Sequence, residues 1–179
     1  MTRDVDEADR VHRLTPLPSG PSRGRLLVPE TVAASTGKAL RGFSGPDGRH
    51  EGLVLWLGRR SGDDTLILAA VVPEADHGRG FVRIHHGTVG STSRAARRVG
   101  LSALAQVHSH PGSDTRHSDG DDRMVLLPYE GMFSLVVGRY GDEPVDPQGG
   151  VGLHQYQDGH WVQVLPMEEA FVLIPAVLA

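Results

Sequence analysis

The chain has 179 residues, enough for one domain whose core needs no covalent staple. It contains no cysteine, which excludes disulfides and thiolate metal sites and leaves histidine and carboxylate as metal ligands. A formal net charge of −4 argues against a nucleic-acid binder, and the apolar runs are too short and broken to cross a membrane.

The first ten residues, MTRDVDEADR, lack the apolar stretch of a secretory signal, so a cytoplasmic protein is expected. Residues 1–24 are polar and end in a Pro/Ser/Gly run, which reads as a flexible leader. The folded domain is expected over 25–165. Pro29 and Glu30 suit a first helical turn, and Val32, Thr36, Leu40 and Phe43 recur at helical spacing, predicting a helix over 30–42 closed by Gly42. Segments 50–59 (HEGLVLWLGR) and 65–73 (TLILAAVVP) read as a hairpin turning at Ser61-Gly62-Asp63-Asp64. A weaker strand over 81–86 follows, then a helix over 91–99 stopped at Gly100, whose Arg94, Arg97 and Arg98 read as a solvated face. Next come a strand over 103–108, a loop over 109–117, a helix over 119–127 stopped by Pro128, and a strand over 132–140. The Gly/Pro/acid stretch 141–150 is an exposed loop, and 151–157 with 160–164 form a closing hairpin around Asp158-Gly159. Residues 166–179 are an apolar tail that packs back on the domain or meets a partner. Together these elements predict a single-domain α/β fold, a mixed sheet with flanking helices.

The stretch 106–122, QVHSHPGSDTRHSDGDD, carries the chemistry. His108 and His110 stand two apart at the end of an apolar strand, so both imidazoles leave one face and can share a metal. Pro111 ends the strand and Gly112 lets the chain turn sharply, returning a carboxylate toward the imidazoles. Asp114, Asp119, Asp121 and Asp122 are all available, and spacing alone does not choose among them. Ser118 with Asp121 also reads as a helix N-cap with an acid in the first turn. A bare His-x-His pair is more often structural than ligating, and the other eight histidines show how common the residue is here. Glu51 opens an apolar strand, where a charge is costly away from a rim or a site.

Taken together, Glu51, His108-Ser109-His110-Pro111, Ser118 seven residues further on, and Asp121 after two more resemble the JAMM motif of the JAB/MPN metalloprotease family in type and spacing, and in particular its short prokaryotic branch. The resemblance implies a JAB/MPN-like, cytidine deaminase-like sandwich. It makes His108, His110 and Asp121 ligands of a catalytic Zn2+ with water in the open position, Glu51 the general base and acid, and Ser118 a donor to the oxyanion. It further implies a zinc-dependent peptidase or isopeptidase acting on a ubiquitin-like protein or its conjugate, beside activating or conjugating enzymes of the same pathway, with no nucleic-acid or membrane partner. The segments 76–88 and 141–150 fall where substrate-binding edges are expected. The competing readings are a hydrolase of a small-molecule or short-peptide amide, a non-catalytic MPN-type binding module, and a DNA-repair branch with a similar His-x-His-Pro pattern. Non-catalytic relatives usually lose motif residues that are all present here, and the acidic balance opposes the DNA-repair reading.

Overall fold

The computed structural model describes residue 13, residues 15–124 and residues 128–177. In chain order the elements are β1 (Ser19–Gly20), β2 (Leu26–Pro29), α1 (Glu30–Arg41), β3 (Ser44–Gly45), β4 (Gly48–Arg49), β5 (Leu53–Ser61) and β6 (Asp64–Val71). They continue with β7 (Ala75–Gly78), β8 (Phe81–Ile84), α2 (His86–Arg98), β9 (Ser102–Ser109), α3 (Asp121–Met124) and β10 (Phe133–Val137). The last are β11 (Gly152–Gln157), β12 (His160–Val164), α4 (Met167–Ala170) and β13 (Phe171–Ile174).

Nine strands form one mixed sheet in the order β1-β12-β11-β10-β9-β5-β6-β2-β13. The middle belongs to β9, antiparallel to β5 and parallel to β10. Both β10 and β9 from Leu104 onward are buried throughout, as expected of strands covered on both faces. Leu26, Trp56, Ile67, Phe133, Leu135 and Phe171 fill the main core, onto which α1 turns Ala33, Thr36, Gly37 and Leu40. Gly58 allows β6 to approach at a register shift in β5, because a Cβ there would lie 1.9 Å from the Leu66 carbonyl oxygen. β7 and β8 make a separate hairpin whose Val82 and Ile84 pack on Leu53 and Leu55.

The expected helix over 30–42 and the two main hairpins are present, with bounds shifted by a few residues. The strand placed at 50–59 starts only at Leu53, because His50 and Glu51 are tied to neighbouring hairpins rather than to the sheet. Helix α2 starts at His86 rather than 91; before Ser91 it carries a single apolar side chain, Val89, among His, Gly and Thr, which gives no apolar period. Strand β10 stops at Val137 rather than 140, since Arg139 and Tyr140 take φ of 54° and 57° in a 3-10 turn at Arg139–Gly141. Residues 125–127 of the helix expected over 119–127 lie outside the described residues.

The fold also reaches past 25–165 at both ends: β1 pairs with β12 and β13 with β2. Two-residue β1 is too short for a period-two signal, and β13 pairs across most of the chain length, so neither is visible locally. Residues 1–12 of the expected leader, with residue 14, lie outside the described residues. Among the described residues no helix is long and apolar enough to cross a membrane.

The fully buried Trp56 donates its Nε1–H to Thr36 Oγ1 at 2.8 Å, and that hydroxyl donates to the Val32 carbonyl at 2.9 Å. Thr36→Val keeps the shape and orphans the indole N–H, so it should lower stability by about 1–3 kcal/mol. Denaturant unfolding should show a lower midpoint at an unchanged slope.

Candidate metal centre

The site sits where β9 leaves the core. His108 and His110 project from the same side of the chain, and their Nε2 atoms are 3.1 Å apart. Asp121 faces both, with Oδ1 3.2 Å from His108 Nε2 and Oδ2 3.1 Å from His110 Nε2. All three side chains are buried, and their candidate ligand atoms lie within 4.8 Å of one another. His110 Nδ1 lies 2.8 Å from the Asp114 carbonyl oxygen, which can only accept. Nδ1 therefore carries the proton and Nε2 turns its lone pair toward the cluster. Electron-rich atoms held this close in a dry corner repel one another unless positive charge lies among them, so the donor set fits a cation.

Asp121 is held in place by its own loop. The Ser118 N–H donates to Asp121 Oδ2 at 2.6 Å, and the Asp121 N–H donates to Ser118 Oγ at 3.1 Å. This reciprocal cap is the N-terminal helix signature read from sequence, and it also mounts the carboxylate opposite the histidines. Burial opposes ionisation of Asp121, but His108 and His110 outweigh it and hold the carboxyl far below its usual range. Burial likewise opposes protonation of His110, while the bond and charge of Asp121 win and raise its pKa. Of the other carboxylates, Asp114 pairs with Arg116 and offers His110 only its carbonyl, and Asp122 turns to His117 and Arg13.

Glu51 lies just ahead of β5 and is 6% exposed. Its N–H donates to the Gly78 carbonyl at 2.8 Å. The next residue binds the histidine strand twice: Gly52 N–H donates to Ser109 Oγ at 3.0 Å, and Ser109 N–H donates to the Gly52 carbonyl at 3.0 Å. Gly52 has to be glycine here, because a Cβ would come within 2.3 Å of the Phe43 ring. Burial pushes Glu51 up to about 8; the His110 charge opposes the shift and the Asp121 charge adds to it.

The turn after His110 is braced from β10. His110 N–H donates to the Val137 carbonyl at 2.9 Å, Tyr140 N–H to the His110 carbonyl at 2.8 Å, and Arg139 N–H to the Gly112 carbonyl at 2.8 Å. Behind His108 lies a polar layer. His117 stands 5.9 Å from His108, ring to ring, and stacks on His154 at 3.9 Å. Burial lowers the pKa of both rings and favours their neutral forms. Its Nδ1 lies 3.2 Å from Asp122, and its Nε2 lies 2.8 Å from the Ser134 hydroxyl, which also accepts from Gln106.

Residues 28–147 match the family described as prokaryotic homologs of the JAB domain. The chain belongs to that family. The chain is 34% identical over 105 residues, 54% of its own length, to the probable metalloprotease y4jG of Sinorhizobium fredii. The matched region spans 62% of that relative. Its fold is similar to the solution structure of a Desulfitobacterium hafniense protein, with a TM-score of 0.63 and 17% identity, covering 85% of this chain and 94% of that one. A JAB1/MPN domain protein from Archaeoglobus fulgidus aligns over 83% of this chain and 96% of its own at 15% identity, with a TM-score of 0.42.

In this JAB domain, then, His108, His110 and Asp121 meet, Ser118 bonds Asp121, and Glu51 interacts electrostatically with His110 and Asp121. Sequence reasoning did not single out Arg13, His117 or His154. No local pattern marks the two histidines, whose burial depends on strands that meet only in the folded sheet. Ser109→Ala removes the acceptor for the Gly52 N–H and should destabilise the protein by about 1–3 kcal/mol in denaturant unfolding.

Proposed function

We propose that this JAB domain is a zinc-dependent peptidase or isopeptidase acting on ubiquitin-like proteins or their conjugates. The observation that supports it best is the convergence of His108, His110 and Asp121 on one point beside the buried Glu51. Two imidazoles and a carboxylate are a ligand set of catalytic zinc, leaving a position for water. The name of the Sinorhizobium relative, a probable metalloprotease, points the same way.

A bound divalent ion supplies an acidified water and a polarised scissile carbonyl. The chain's own groups do the rest. With positive charge among the ligands, the carboxylate form of Glu51 gains over the neutral acid, so it can take a proton from water. A pKa raised by burial then suits it to hand that proton to the departing amine. The Ser118 hydroxyl, fixed by the Asp121 N–H, is the donor for the developing oxyanion. The β7–β8 hairpin, bonded to Glu51 through Gly78, is the edge on which we place an extended substrate tail. Val82 and Ile84 point inward there, whereas Asp76, Phe81 and Arg83 are exposed.

Metal analysis should find about one zinc per chain in the wild type and little in His110→Ala. Equal contents in both would remove His110 from the site.

Glu51→Gln should keep the zinc and lose at least about 10²-fold in cleavage of a ubiquitin-like protein fused at its C-terminus to a reporter. A minimal amide assayed in parallel tests the substrate class. Cleavage of the minimal amide but not of the fusion would favour the small-substrate hydrolase, and wild-type turnover by Glu51→Gln would refute the mechanism.

A further inference from the structure

One cation reaches the metal loop from outside the matched JAB region. Arg13 belongs to the segment that reads from sequence as a leader, yet its side chain is 13% exposed. Its NH1 donates to the carbonyls of His117 at 3.0 Å and Ser118 at 3.1 Å. Its NH2 donates to Asp122 Oδ2 at 2.8 Å, and Asp119 lies 4.0 Å from NH1. The other oxygen of Asp122 faces His117 Nδ1. One guanidinium thus closes a ring around Ser118, Asp119, Gly120 and Asp121.

We propose that Arg13 is a positioning residue of the metal centre, clamping the loop so that Ser118 and Asp121 stand opposite His108 and His110. The inference rests on the ligand set described above and adds to it a residue from outside the matched domain. The loop needs such a clamp. Asp121 is the first residue of α3, with no helical turn ahead of it, so the direction of its carboxylate depends on contacts made by the loop that leads in. An arginine fits the task because it must serve two carbonyls and a carboxylate at once, which the planar fork does and an ammonium does not. Its charge cannot be the useful property. A nearby cation opposes metal binding, and Asp122 and Asp119 offset it locally.

The test uses the full chain with Arg13→Ala, Arg13→Lys and Asp122→Asn. Zinc affinity is read by competition with a chelator, and ligand geometry by the visible spectrum of the cobalt(II)-loaded protein. Outer-shell partners of metal ligands typically contribute tenfold to a hundredfold in affinity, and a loss of about that size is expected in Arg13→Ala with a changed cobalt spectrum. Arg13→Lys should fall well short of the wild type, because it keeps the charge and loses the fork. Methylguanidinium at non-denaturing concentration should restore affinity to Arg13→Ala and leave the wild type unchanged. Asp122→Asn cuts the same clamp from the other side, so the double variant with Arg13→Ala should lose no more than the worse single one. It carries the test if Arg13→Ala does not fold.

Wild-type zinc affinity and cobalt spectrum in Arg13→Ala, or full function in Arg13→Lys, would overturn the proposal. Lowered thermal stability with unchanged affinity would do the same. His110→Ala is the control: if it also keeps zinc, the ligand set itself is wrong, and that failure is distinct from this one.

Discussion

Two imidazole nitrogens and a carboxylate oxygen pair held about 3 Å apart in a buried corner form an arrangement that does not hold itself together. Their lone pairs converge, and the desolvation of Asp121 is offset only by its neighbours. A proton on an imidazole, or a cation among the three groups, supplies the charge that keeps the strand and the loop from relaxing apart. Much of the surrounding structure can be read as resistance to that relaxation. β9 is locked between β5 and β10, so the histidines cannot retreat. The turn after His110 is tied to the end of β10 and the 3-10 turn beyond it by three main-chain bonds, two of them from residues in left-handed conformations. The cap between Ser118 and Asp121 fixes the carboxylate, and Arg13 binds the loop that carries the cap.

The polar layer behind His108 follows from the same constraint. Gln106, Ser134 and His154 lie in the middle of the sheet, with His117 of the following loop buried against them, where apolar residues would be the cheaper choice. With His117 in its neutral form, their bonds run in one consistent direction: Gln106 donates to Ser134, Ser134 to His117, and His117 to Asp122, which also accepts from Arg13. A chain with a single direction fixes the orientation of the His117 ring and, through Asp122, the start of α3. An apolar layer would fill the same space without aiming the loop, because packing contacts have no direction.

The parts legible in the sequence are those whose signal is local. The helix at 30–41 announces itself by periodicity, the strands on either side of Gly62 by composition and turn chemistry, and the histidine pair by its spacing at the end of a strand. Spacing leaves four acids open and the resemblance to the JAMM motif points to Asp121; in the fold Asp114 and Asp122 bind arginines, and Asp121 faces both histidines. What stayed hidden depends on pairing across the chain. β13 completes the sheet by lying beside β2, and Arg13 reaches a loop more than a hundred residues away. Glu51 looks like the first residue of a strand, but its burial comes from the short hairpins around it.

Those hairpins give Glu51 a different footing from the three candidate ligands. His50, next to Glu51, is 2.8 Å from His77 through their Nδ1 atoms and 2.5 Å from Asp47 through Nε2, so it links the β3–β4 turn to β7. Phe43 sets its ring edge-on to His77. The support is local: two-residue strands on one side, four-residue strands on the other, and the small cluster of Leu53, Leu55, Val82 and Ile84 beneath. Short elements with few buried apolar groups open at lower free energy than a central strand does. The ligands therefore hang on the most protected part of the sheet, while Glu51 sits where that protection ends. Ser109 joins the two regimes, since its main chain and hydroxyl both bind Gly52, beside Glu51.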